Sequence, residues 1–425
     1  MFNLQNVDWK KIAIIAGFIV ICLVIAYFIY SLFFKPALPP ALPAPEEGVI
    51  GQLPGADEGL QPGLVGEEVG EEKIGVEKVT PKAVTKIPAE PLGVQVDQIA
   101  KGGLTKVITL DYEPAAKITL DSTGDNAMIY NADSGKFYTV DDRGNKVSLS
   151  DKTYKDVQNI AWSPTKDQAI LEFPDSSNIL FNFKTEKQIS LPKDWSDFSF
   201  SPTGSKIAFK DLNQNKEYRF MGIANADGSG QNYLEYMGDD YKDFKIDWSP
   251  NNKMIAQYKT GETGSTAKLY FVGQYDEKFK AITVNGYALE TAWTPDGSKL
   301  VYSAQNAFSD HKPLLHVVDA VGDSVGYNHN SLKLNTWASK CTFESADIMY
   351  CAVPKEMPYG AGLVPRLADD IPDYIYKVNL QTGVKSFIAE PQYGFTIEQM
   401  QVSEDGSNLY FTDKETHEVH LMKLK

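Results

Sequence analysis

One phrase recurs along this chain and decides most of what it can become: a short alternating strand ending in an aromatic or apolar residue, a Ser-Pro-x-Gly-like turn, and a second apolar strand. Clear copies are Trp162-Ser163-Pro164 before AILEF, Phe200-Ser201-Pro202-Thr203-Gly204 before KIAF, Trp248-Ser249-Pro250 before MIAQY, and Trp293-Thr294-Pro295-Asp296-Gly297 before KLVYS. Fainter copies stand at Leu120-Asp121-Ser122, Cys341-Thr342-Phe343 and Val402-Ser403-Glu404-Asp405-Gly406. Proline presets φ for a turn and Asp-Gly supplies its tolerant positions, so each copy reads as a tight hairpin. The seven copies follow one another at steps of 38 to 61 residues, a spacing that fits four-stranded propeller blades.

A second hairpin follows in most units, as in FYTVDDRGNKVSL and IYKVNLQTGVKSFI, with apolar and polar residues alternating around a Gly- or charge-bearing turn. The last unit stops after its third strand, near 419–422, whereas 104–110 precedes the first copy without a blade of its own. That segment is predicted to complete the seventh blade and so to remove an open sheet edge. The expected fold is all-β: a seven-bladed β-propeller over 100–425, closed by an N-terminal strand. With 43% hydrophobic residues, 22 Tyr and 21 Phe, the chain has enough apolar surface for a core spread over stacked sheets.

The phrases Phe200-Ser-Pro-Thr-Gly-Ser-Lys-Ile-Ala-Phe209 and Ala226-Asp227-Gly228-Ser229-Gly230-Gln231 closely resemble the TolB-type (WD40-like) propeller repeat, over about 104–425. The resemblance implies the fold. It also implies a setting, since proteins of this repeat class often stand outside the cytoplasm as protein-binding platforms or as accessory propellers to enzymes.

Residues 12–34 form 23 positions without a charge. At about 1.5 Å per residue a helix of that length reaches roughly 34 Å, enough to cross a bilayer core. It is read as a retained anchor, because a secretory signal has a shorter apolar region and the following KPALPPALPAP is crowded with proline. Residues 1–11 are then a cytoplasmic N-terminus, and 35–99 a Pro-, Gly- and Glu-rich disordered linker without helical or strand period. The expected location is the cell membrane, single-pass, with the propeller extracytoplasmic.

The net charge of -15 argues against a nucleic-acid partner, because a phosphate backbone would be repelled. No G-x-S-x-G elbow is present, and Ser403-Glu404-Asp405-Gly406 compresses the spacing of a sialidase Asp box. The five histidines, His311, His316, His329, His417 and His420, lack metal-ligand spacing. His417 and His420 are expected on or beside an exposed final strand. No cofactor and no metal site is implied.

Cys341 and Cys351 flank one predicted hairpin, and outside the cytoplasm such a pair can oxidise. The register of the other hairpins places them on opposite faces, which argues against a bond unless a bulge intervenes, so disulfide and free thiols both stay open. The longest interruption, 354–372, falls between the second and third strands of the sixth unit, where a propeller's connections ring its channel mouth. Its Tyr359, Arg366, Asp369 and Asp370, joined by His311 in the loop 306–312, are the candidate contact residues. The reading is a scaffold that binds a protein or envelope polymer; the alternative is a propeller hydrolase or lyase with its site at the channel mouth.

Overall fold

The repeated hairpin owes its shape to its hydroxyl. Ser249 Oγ accepts from the Met254 N–H at 2.9 Å, Ser403 Oγ from the Asn408 N–H at 2.9 Å, and Thr294 Oγ1 from the Lys299 N–H at 3.0 Å. The aspartates add a bond each, Asp296 and Asp405 accepting from the N–H of Ser298 and Ser407. The glycine answers a different need. Gly204 and Gly297 stand at φ +70° and +66°, and a Cβ on either would lie 2.6 Å from Ser163 Oγ or 2.7 Å from Asn251 N in the preceding unit. At these two positions the approach leaves no room for a Cβ, whereas Lys166 and Asn252 hold the equivalent positions at φ +61° and +60° with a side chain.

In the computed structural model of the protein, residues 95–425 are described, except 264, 265, 276 and 278. Two short strands, β1 (Gly103–Thr105) and β2 (Val107–Asp111), precede the blades. Blade one is β3 (Ala115–Leu120), β4 (Ala127–Asn131), β5 (Lys136–Val140) and β6 (Lys146–Ser148); blade two is β7 (Asn159–Trp162), β8 (Gln168–Glu172), β9 (Asn178–Asn182) and β10 (Gln188–Leu191). Blade three is β11 (Trp195–Phe200), β12 (Lys206–Asp211), β13 (Phe220–Asn225) and β14 (Asn232–Tyr236); blade four is β15 (Phe244–Ile246), β16 (Met254–Thr263), β17 (Thr266–Gly273) and β18 (Ile282–Asn285). Blade five is β19 (Tyr287–Trp293), β20 (Lys299–Gln305), β21 (Leu314–Asp319) and β22 (Asn330–Ser331). Blade six holds β23 (Cys341–Phe343), β24 (Ile348–Pro354), β25 (Asp373–Asn379) and β26 (Lys385–Pro391), and blade seven β27 (Ile397–Val402), β28 (Asn408–Asp413) and β29 (Val419–Lys423). Seven blades are present, as the repeat spacing predicts.

The core lies between blades rather than within them. Seven apolar clusters each join two neighbours: Ile170 and Leu180 of blade two, for example, meet Trp195 and Phe209 of blade three, whose rings stack. A four-stranded sheet cannot bury both faces alone, so every blade depends on the one before and the one after.

Closure follows the expectation in one respect and departs from it in another. β2 pairs antiparallel with β29, Val107 opposite Met422, and supplies blade seven's fourth strand. The predicted segment is not one strand, however. Its first part, β1, runs parallel along β26, Leu104 opposite Glu390, and makes blade six five-stranded. Between them the Lys106 N–H turns back to the Asp97 carbonyl at 2.9 Å instead of joining a sheet, so the chain changes blades at that residue.

The register expected for the two cysteines is corrected, and the question left open falls to the disulfide. Cys341 and Cys351 are directly opposed in β23 and β24, with Cα atoms 4.1 Å apart, and form a disulfide. The reason is one missing residue. Phe200 pairs with Ile207 and Trp293 with Leu300, six residues apart around the turn, whereas Phe343 pairs with Met349 around only five, 344–348. Strand parity is two, so the shorter turn moves both sulfurs to one face.

Among the described residues no helix is long and apolar enough to cross a membrane. The predicted anchor at 12–34, and the linker up to residue 94, lie outside the described residues.

Two outcomes follow. Leu110→Ala should lower stability by about 2–4 kcal/mol, as expected of a buried leucine at the junction of blades seven and one, read by urea denaturation. Acid-quenched cells, alkylated without reductant, should yield a chain unmodified at Cys341 and Cys351, and Cys351→Ser should cost about 2–3 kcal/mol for so short a closed loop.

Candidate functional site

The segment 354–372 is long and rich in proline and glycine, yet it is held at many points. Its ends are drawn together by the Lys355 N–H, which donates to the Pro372 carbonyl at 2.8 Å. It carries a small core of its own, in which Ala361 and Ala368 pack on Trp337 with Met357 and Ile371 beside them. A 3-10 turn, Pro365–Ala368, lies inside it.

The second loop, 306–312, pins the first from the side. Gly360 N–H donates to the Asp310 carbonyl at 3.0 Å and Gly362 N–H to that of His311 at 2.8 Å. The approach is so close that a Cβ on Gly362 would lie 2.5 Å from the Gln305 Cβ. The Tyr359 ring meets His311 edge-on at 5.9 Å, and His311 Nδ1 is 2.7 Å from Gln305 Oε1. Asn306 caps the short turn Ala307–Ser309, accepting from the N–H groups of Phe308 and Ser309. The two loops singled out from the sequence therefore form one platform.

That platform shows apolar side chains to solvent. Phe308 is 93% exposed, Tyr359 69% and Leu363 58%, with Val364 and Leu367 also uncovered. Loop residues that turn inward, Met357, Ala361, Ala368 and Ile371, already satisfy its core. Apart from the Tyr359 edge contact with His311, the outward set is left uncovered by the described residues.

Of the predicted contact residues, Tyr359 and His311 are brought together, and Arg366 and Asp370 stand exposed on the same loop. Asp369 is already engaged, paired with Lys414 of blade seven. Sequence reasoning favoured charged residues and passed over Phe308, Leu363, Val364 and Leu367; the signal available was the apolar content of LVPRL within a segment of loop composition.

Beside the platform a cavity of about 450 Å³ opens among blades five, six and seven, lined by Glu290, Trp337, Lys340, Asp369, Glu398 and Lys414 among others. Behind it the Lys340 ammonium bonds both carboxylate oxygens of fully buried Asp373, at 2.8 and 2.7 Å, and the Ile397 N–H donates to the same carboxylate at 2.7 Å. Burial pushes the Asp373 carboxyl up, with Lys340 and the Ile397 bond opposing. The Ile397 bond ties blade six to blade seven, and removing either partner of the Lys340–Asp373 pair would strand a buried charge.

The histidines do not converge on that cavity. His417, in the turn before β29, lies 3.2 Å from Glu398 Oε2. His420, expected on an exposed strand, is buried: β2 covers it, Thr109 Oγ1 stands 3.1 Å from its Nδ1, and Phe395 and Phe411 pack at 4.4 and 5.2 Å. The closing strand turns what would be an edge residue into an interior one. In blade five, His316 stacks on Tyr302, whose hydroxyl is 2.5 Å from His329 Nε2. Among the described residues no three His, Cys, Asp or Glu side chains are placed to share a metal ion.

Solved structures that superpose on the chain include the β-propeller domain of Cps50 (Swd1) from Myceliophteria thermophila, at a TM-score of 0.52 and 10% identity over 75% of this chain and 100% of that one. An oligogalacturonate lyase in complex with manganese follows at 0.51 and 12%, over 77% and 99%. Kuenenia stuttgartiensis hydrazine synthase gives 0.50 and 12%, over 79% and 99%. No family model and no curated protein matches the chain. At such identities the likeness concerns fold alone, and with the blade order it defines the class: the chain is a seven-bladed β-propeller.

Burial lowers the pKa of both His316 and His420 from 6.5 to about 4, with His329 adding to the effect on the first and Asp413 opposing it on the second. A depressed histidine pKa favours the neutral folded form, so its stabilisation is present above about pH 6.5 and is lost as pH falls through about 4. The thermal unfolding midpoint should therefore drop across that window, and His420→Gln should flatten the slope, followed by circular dichroism over a pH series.

Proposed function

We propose that this protein is a membrane-tethered, extracytoplasmic propeller that binds a protein or envelope-polymer partner through the platform on blades five and six. The observation that carries the reading is the uncovered apolar set on two mutually pinned loops. Phe308, Tyr359 and Leu363 are held ready by hydrogen bonds and a local core, and a rigid aromatic and aliphatic cluster with polar surroundings is the usual form of a protein-docking hot spot. A prepaid conformation also lowers the entropy lost on binding.

Other features agree. The TolB-type repeat phrases accompany protein-binding platforms, the uncharged run at 12–34 suits an anchor, and a Cys341–Cys351 disulfide suits an oxidising compartment. The hydrolase or lyase alternative would use the cavity in front of Lys340. The oligogalacturonate lyase neighbour is similar in fold alone, whereas Asp373 behind the cavity is engaged by Lys340 and by the Ile397 N–H, so binding is the better-supported reading.

Capture from detergent-solubilised membranes tests it. Tyr359→Ser and Leu363→Asp should each cut recovery of the partner by at least about tenfold, the loss expected for a hot-spot residue, whereas Val147→Asp on the exposed edge of blade one should leave it unchanged. Equal recovery by the platform variants would remove the reading.

A further inference from the structure

Next to Phe308 a second recess of about 400 Å³ opens between blades four and five, lined by Asn285, Ala304, Asn306, Phe308, Leu314 and His316 among others. Most of its polar groups are already occupied. Asn306 accepts from Phe308 and Ser309 N–H and donates to the Asn285 carbonyl, and Ser309 Oγ bonds the carbonyls of Asn306 and Lys312. His329 spends its Nε2 on the Tyr302 hydroxyl.

His316 is different. It is only 9% exposed and stacks on Tyr302 with ring centroids 4.9 Å apart and planes 9° from parallel, yet no protein group among the described residues hydrogen-bonds its ring nitrogens. It lines the recess as a neutral imidazole, with one N–H and one lone pair.

This arrangement restricts what can enter. An ammonium finds no carboxylate among the lining residues, and a carboxylate or phosphate would be desolvated against apolar walls and an uncharged ring. A purely apolar ring would strip water from the imidazole and leave it unpaired. A ring with a single hydroxyl meets both demands.

We propose that the recess takes a tyrosine side chain presented by the protein that docks on the platform, its ring between Phe308 and Leu314 and its hydroxyl donating to the unprotonated nitrogen of His316. The identity of the presenting partner rests on the platform reading. The chemistry of the recess does not, because it can be examined with a small probe.

The full-length chain, labelled with nitrogen-15 histidine, has only five histidines to resolve. It would be titrated with N-acetyl-tyrosine amide and, separately, N-acetyl-phenylalanine amide. The tyrosine probe should shift the His316 ring signals saturably and bind about three- to tenfold more tightly than the phenylalanine probe, the factor one neutral hydrogen bond supplies. His316→Phe should erase that preference, and Phe308→Ser, at a fully solvated position, should weaken both probes. If the substitution at buried His316 unfolds the chain, the probe preference of the native protein and the Phe308→Ser result decide. Equal affinity for the two probes, shifts centred on another histidine, or no saturable shift would each overturn the proposal. Tyrosine binding with unaltered partner capture by the platform variants would keep the recess and discard the platform.

Discussion

Everything in this fold depends on the ring being shut. Each blade buries its apolar faces only against its two neighbours, so an open ring would leave Tyr410 and Leu421 of blade seven, and Ile129 and Val140 of blade one, facing water. Fully burying side chains of this kind is worth about 1.5–3 kcal/mol each. Closure is secured twice: β2 joins the edge of β29, and the Glu404 N–H donates to the Gly124 carbonyl at 3.0 Å between the inner turns of the last and first blades. The same turn-on-turn contact recurs where Gly204 meets Ser163 and Gly297 meets Asn251.

A closed ring explains why the platform can be rigid. Loop 354–372 rests on Trp337 just before blade six, is tied to the blade-seven entry through the Thr396 hydroxyl and the Ile371 carbonyl at 3.1 Å, and is flanked by a loop of blade five. Three blades whose spacing cannot change thus hold one surface. The Lys340–Asp373 pair lies directly beneath, where a buried charge pair fixes geometry more than it adds stability.

Much of this was legible in the residues. Ser-Pro-x-Gly turns gave the blade number because their hydroxyl and glycine have only one useful arrangement, and the orphan strand before residue 111 pointed to closure. The disulfide was not legible: its register turns on one residue missing between Phe343 and Met349, and the five-residue turn has no serine-proline signature to reveal it. Nor was the burial of His420, which is covered by a strand 311 residues away in sequence. At the platform, apolar residues of a loop read alike whether they turn inward, as Met357 does, or outward, as Leu363 does. Only packing separates them.

The arrangement at residues 97–106 has a mechanical side. Ala100 bonds to Lys423, Gly102 to Ile388 and Asp97 to both Leu104 and Lys106, so the chain is fastened to blades six and seven before β2 begins. Tension arriving from the N-terminal direction would be spent first on this clasp and on the three residues of β1, whose parallel neighbour β26 ends a complete blade. The strand that shuts the ring is reached only after the clasp has torn. A propeller pulled by its N-terminal side would give way at a dispensable stitch while its circular body stayed whole.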